Sequence, residues 1–133
     1  MTKIICVDFD GVIHSYTSGW RGLTEIPDPP VPGAFEWLAE LIEDGFEVCI
    51  YSSRSKGNER VRDDQSGVEA MKSWFLRHLN DDAVNWDAPW ILGQLKFPTK
   101  KPAAMMTVDD RAFCFEGDYP SVDWLNNFKP WNK

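Results

Sequence analysis

Cations are in short supply in this 133-residue chain: 14 Lys and Arg stand against 21 Asp and Glu, a formal charge of −7. That balance excludes a protein that coats nucleic acid or anionic lipid by bulk charge, although it leaves room for a local basic pocket. Long apolar runs are missing too. No stretch approaches the about 20 residues needed to span a bilayer. The opening MTKIICVDFDGV meets acids too soon to read as a signal or transit peptide. Cysteine is scarce and unpatterned: Cys6, Cys49 and Cys114 are far apart, with no CxxC and no Cys/His metal spacing. Each lies in or beside an apolar run, where Cys acts as a small buried hydrophobe. They read as three reduced thiols in a cytoplasmic protein. His14 and His78 offer none of them a clear partner, which argues against a cysteine nucleophile. Repeats, low-complexity tracts and linkers are absent. The chain reads as one domain over 1–133, with a core of about 3–115 and a segment 116–133 packed on it. Seven Trp and eight Phe supply bulk for that core without a disulfide or metal staple.

The order of elements is informative. Residues 3–7 (KIICV) and 46–51 (FEVCIY) are short apolar runs rich in β-branched residues, as expected of buried strands. Residues 105–108 (MMTV) form another, a weaker strand is expected within 90–97, and 112–115 (AFCF) is a further candidate. Phe35, Leu38, Ala39 and Ile42 make one helical stripe that opens at Pro32-Gly33 and closes at Gly45; Val68, Met71, Phe75 and Leu79 make a second. Ser121 is a suitable N-cap for a short last helix through Trp124 and Leu125. Residues 15–31, with their Ser, Thr, Gly and Pro, read as a flap. Strand, helix, strand, helix, strand implies an α/β fold with a parallel sheet.

The apolar strands end in polar groups: Asp8 and Asp10, then Ser52, Ser53 and Arg54, then Asp109 and Asp110. Ligands of open parallel sheets bind beyond the carboxyl ends of the strands. If these strands are neighbours, four carboxylates converge. Such a cluster needs a cation or retained protons, and a hard divalent ion with oxygen ligands, Mg²⁺, fits best. A carboxylate-held metal beside a free carboxylate suits phosphoryl transfer. Asp8 would attack phosphorus, and Asp10 would protonate the leaving oxygen and later take a proton from water.

Asp8-Phe9-Asp10-Gly11-Val12 resembles the first motif of the haloacid dehalogenase (HAD) superfamily of phosphohydrolases. Ser52 resembles its second motif, Lys101-Pro102 its third and Asp109-Asp110 its fourth, in the expected order. The chain is similar to small capless members from phage and bacteria. The resemblance implies a Rossmann-like three-layer α/β/α sandwich of strand order 5-4-1-2-3 with no cap domain. It implies Asp8 as nucleophile, Asp10 as acid and base, and Ser52 and Lys101 on the phosphoryl group. Mg²⁺ would be held by Asp8, the Asp10 carbonyl and Asp109, with Asp110 in support. Gly11, Ser53 and Arg54 are expected beside the substrate. Asp10 favours phosphate esters over carbon–halogen bonds, because dehalogenase members lack an acid there. Lys96 and Lys100 compete with Lys101 for the phosphate role.

The expected activity is Mg²⁺-dependent hydrolysis of a phosphate monoester through an aspartyl-phosphate. An open site points to a macromolecular ester or to a second subunit covering the cleft, and a nucleotide or polynucleotide end phosphatase is the alternative enzyme. A non-catalytic, receiver-like phosphate-sensing module is the rival of another class, although its phosphorylated Asp lies at a middle strand. Lys56, Arg60 and Arg62 read as solvated, diluted by Asp63 and Asp64. His14 reads as structural, Trp20 as exposed or a lid contact with base stacking the lesser alternative, and Trp37 and Trp74 as packing. Trp124, Phe128 and Trp131 read as pins for the last segment, or alternatively as a dimer patch. Arg111 is placed to pair with a site carboxylate.

Overall fold

A computed structural model describes residues 2–133. Among them, four strands form one all-parallel sheet: β1 (Ile4–Val7), β2 (Glu47–Ile50), β3 (Leu95–Lys96) and β4 (Met106–Val108), in spatial order β3-β2-β1-β4. Helix α1 (Ala34–Glu43) links β1 to β2. A 3₁₀ turn (Ser53–Lys56), α2 (Ser66–Asp81) and α3 (Ala88–Gln94) link β2 to β3. A last helix, α4, covers Val122–Asn126. None of these helices is long and apolar enough to cross a membrane.

Register explains which face is buried. Residues paired across parallel strands share a face. The row Met106–Ile5–Val48–Leu95 and the row Val108–Val7–Ile50 therefore point the same way. Ile5, Val7, Val48, Ile50 and Leu95 from these rows join Phe35 and Leu38 of α1 and Met71, Trp74 and Phe75 of α2 in one buried cluster. The opposite row is Thr107–Cys6–Cys49–Lys96, small or polar throughout. Cys6 and Cys49 are buried free thiols, and burial raises the pKa of both. Met106 faces the same way as the core rows yet stays 60% exposed.

One expectation is corrected. The 112–115 run is not a strand, so no fifth strand joins the sheet among the described residues. The weaker strand expected within 90–97 is present as β3, where Leu95–Lys96 pairs with β2. The residues before it are helical: Asp87 accepts from the Trp90 N–H at 3.2 Å, and Pro89 sits in the first turn. Within 116–133, helix α4 buries no residue, and Trp124 contacts Phe113 and Phe128 in a small, largely exposed group.

Candidate functional site

The motif Asp8-Phe9-Asp10 leaves β1 with its side chains alternating. Phe9 is fully buried against Trp74, His14 and Phe75, so the two acids turn outward. The Phe9 carbonyl then accepts from the N–H groups of Val12, Ile13 and His14, closing a tight turn. Asp8 itself is fixed by its N–H to the Val108 carbonyl at 2.9 Å, which holds the β1 and β4 ends side by side.

That pairing brings Asp8, Asp109 and Asp110 together, with one oxygen from each lying within 4.8 Å of the others. Burial pushes the Asp8 pKa up to about 8, aided by repulsion from Asp109, Asp110 and Asp10 against one backbone hydrogen bond. Asp110 is raised for the same leading reason, burial. Its side chain is 2% exposed, and both oxygens lack a hydrogen-bond partner among the described residues; Arg111 Nε stands 3.9 Å away, too far to donate. Gly11 makes the room. Its φ is +87°, and a Cβ there would lie 2.2 Å from Asp110 Oδ2. Asp109 Oδ1 accepts the Arg111 N–H at 2.8 Å, which shapes the turn after β4.

Asp10 does not share that cluster. Arg54 Nε donates to its Oδ2 at 3.0 Å and Oδ1 at 3.3 Å, and His14 Nδ1 donates to Oδ1 at 2.9 Å. The proton on Nδ1 follows from the other ring nitrogen: the Asp28 N–H donates to His14 Nε2 at 3.0 Å, so Nε2 is the acceptor. Asp28 in turn accepts from the Ser18 N–H and hydroxyl. Burial raises its pKa, but these bonds outweigh that and hold it below the ordinary range. Arg54, expected beside substrate, is instead fully buried. Its Nη1 donates to the carbonyls of Gly22 and Leu23 at 2.8 Å each, and Trp20 covers it with a ring centre 4.6 Å from Cζ. Arg54 thus ties Asp10 to the flap.

Ser52 is buried and its Oγ accepts the Arg54 N–H at 3.0 Å, capping the 3₁₀ turn; Ser53 is exposed. Both border a cleft with Tyr51, Lys56, Gly57 and Glu59. Of the three lysines, Lys96 is paired with Glu47. Lys100 lines a separate cleft with Lys56 and Thr99. Lys101 is exposed, and its charge acts on the Cys6 thiol, two residues before Asp8.

Two contributors carried no signal in the sequence. Tyr16 sits at φ +61°, a left-handed conformation that bulky residues seldom adopt. Its ring meets the His14 ring edge-on at 5.9 Å. Burial and the Asp10 charge raise its phenol pKa against Arg111 and Arg54, which places the hydroxyl within reach of the acids' field. The 131–133 segment is the other: Trp131 Nε1 donates to the Gly11 carbonyl at 2.8 Å, Asn132 Nδ2 to that of Ser15 at 2.6 Å, and Lys133 Nζ to that of Tyr16 at 3.1 Å. Trp131 is thus a pin, as expected, but its anchor is the loop beside the acids.

Comparison with protein-family models, curated protein sequences and solved structures gives no match.

Proposed function

We propose that this chain is a Mg²⁺-dependent phosphohydrolase of the HAD type that moves the phosphoryl group of a monoester to Asp8 and then to water. The observation that carries the reading is the convergence of Asp8, Asp109 and Asp110, with Asp110 buried and both its oxygens unpartnered, at the carboxyl ends of two adjacent parallel strands. The finer fold belongs to the same reading: a capless three-layer sandwich whose four strands make up the 4-1-2-3 part of the order that the resemblance implies, without its fifth strand.

The donor set fits a small hard cation. Every donor is a carboxylate oxygen. Burial first, and then repulsion from Asp109, Asp110 and Asp10, pushes the Asp8 pKa up to about 8, and a bound cation would offset both. Asp8, Asp109 and Asp110 would hold the ion, with the Asp10 carbonyl added by the family resemblance. When bound, Mg²⁺ supplies charge that keeps Asp8 ionised and offsets the phosphate.

On this reading an Asp8 oxygen forms a bond to phosphorus as the bond to the leaving oxygen breaks. Asp10 gives that oxygen a proton. Water then attacks phosphorus, Asp10 takes its proton, and the bond from phosphorus to Asp8 breaks. The Asp10 environment supports this role. Oδ1 accepts two hydrogen bonds and Oδ2 one, so one lone pair of Oδ2 stays open for a proton. Ser52 keeps its hydroxyl hydrogen, placed only against Met71 Sδ at 3.9 Å, a weak partner that a phosphate oxygen would displace. Lys101 is the cation for the phosphoryl group by the family resemblance, with Lys96 committed to Glu47 and Lys100 bordering a separate cleft.

The test is phosphate release from nitrophenyl phosphate. Wild type with Mg²⁺ should turn over, and both chelation and Asp8→Asn should abolish it. Equal rates in wild type and Asp8→Asn would refute the reading.

A further inference from the structure

The loop after Asp10 carries more aromatic surface than packing needs. Trp20 is 51% exposed. One side of its indole rests on the Arg54 guanidinium, which is itself immobilised by Asp10 and by the carbonyls of Gly22 and Leu23. Its ring therefore stands one guanidinium away from the Asp10 carboxylate. Trp131 is 65% exposed, yet its indole N–H is tied to the Gly11 carbonyl at 2.8 Å. Tyr16 belongs to the same loop. Its carbonyl accepts from the Gly19 N–H and from Lys133 Nζ at 3.1 Å each, and the Lys133 ammonium lies 5.1 Å from its ring centre. These bonds over-determine a left-handed tyrosine, and strain that is held so firmly marks functional loops. Three aromatic side chains are thus anchored to the segment that immediately follows the acids, two of them with much of their surface in solvent.

We propose that Trp20 is a stacking platform for a flat ring in the leaving group, so that the substrate is the phosphate monoester of a nucleoside. This rests on the reading of Asp8 as phosphoryl acceptor. A flexible polyol gains little from fixed indole faces, whereas every nucleobase offers a π-face to them. An indole already held from behind loses little freedom on binding. The charge of −7 supplies no phosphate track for a polynucleotide, which favours a single nucleotide.

The experiment compares adenosine monophosphate with glycerol phosphate, both with Mg²⁺, and titrates adenosine monophosphate into the protein by calorimetry. Wild type should prefer the nucleotide in kcat/KM. Trp20→Ala should cut that preference about ten- to a hundredfold, chiefly through KM, while Trp20→Phe, which keeps a flat ring, should retain most of it. Because Trp20 also shields Arg54, Trp20→Leu carries the comparison if Trp20→Ala does not fold. No preference in wild type, or a preference that survives loss of the ring, overturns the platform and leaves the phosphohydrolase reading standing. If neither ester is hydrolysed, the phosphohydrolase reading fails and the titration decides. Binding of adenosine monophosphate that weakens in the Trp20 variants upholds the platform, and no binding, or binding that these variants leave unchanged, overturns it.

Discussion

Replacing Asp8 with Asn should stabilise the metal-free protein at pH 8 and make little difference near pH 4. In the folded chain the Asp8 pKa lies at about 8, against an ordinary value of 3.8. Between those limits the folded state keeps a proton that the unfolded state has lost. Stability therefore falls as pH rises through this window and levels off above about 8. Each unit is worth about 1.4 kcal/mol, so the window sets a ceiling of about 6 kcal/mol. Asn carries no charge at any pH and escapes this loss. A third of the ceiling, about 2 kcal/mol, would already raise Tm by roughly 4–8 °C in a domain of this size. The assay is thermal unfolding with chelator at pH 4, 6 and 8, read as the difference between variant and wild type so that titrating groups distant from Asp8 cancel. Saturating Mg²⁺ should reverse the order, stabilising wild type more than the variant. An advantage of Asn that is constant with pH, or absent at pH 8, would refute the argument from a crowded, desolvated carboxylate.

Other outcomes follow from the neighbouring contacts. Arg54→Met leaves Asp10 and two flap carbonyls without their donor and should cost about 3–5 kcal/mol in urea unfolding. Arg54→Lys should not rescue it, because one ammonium cannot span the same partners; a loss below about 1 kcal/mol in either variant would contradict the network. Gly11→Ala combines a left-handed backbone with a Cβ 2.2 Å from Asp110 Oδ2. It should weaken Mg²⁺ binding about ten- to a hundredfold in a calorimetric titration, and unchanged affinity would dismiss the cradle. Mg²⁺ affinity should rise as pH goes from 6 to 8, by up to about tenfold per unit, because the ion must displace the Asp8 proton. A flat profile would show that Asp8 is not a ligand.

The strands that position the acids were legible in the sequence because IICV and MTV are short, mostly apolar runs that stop at an aspartate, while EVCI runs through Tyr51 to Ser52. The third strand was legible only as a short piece within 90–97, and the helix before it was not. Trp90, Ile91 and Leu92 are apolar whether helical or extended, and in so short a run the Asp87 cap and Pro89 decide for helix. AFCF has strand-like composition but no neighbour to pair with. At the site, the residue types announced themselves while their bonds did not. Arg54 meets Asp10 across 44 residues, and Trp131 meets Gly11 across 120, so no local pattern encodes either contact. The link from His14 to Asp10 spans only four residues. It still depends on a turn that the Phe9 carbonyl closes and on an Asp28 N–H arriving from the flap, neither of which periodicity reveals.

The central claim is that Asp8 accepts the phosphoryl group. Its most direct test is mass spectrometry of the peptide carrying Asp8, after acid quenching of the enzyme during turnover of nitrophenyl phosphate with Mg²⁺. The account predicts the mass of one phosphoryl group on Asp8 in wild type and none in Asp8→Asn, with a matching loss of phosphate release. Phosphate released at equal rates by both proteins, with Asp8 unmodified throughout, would contradict it.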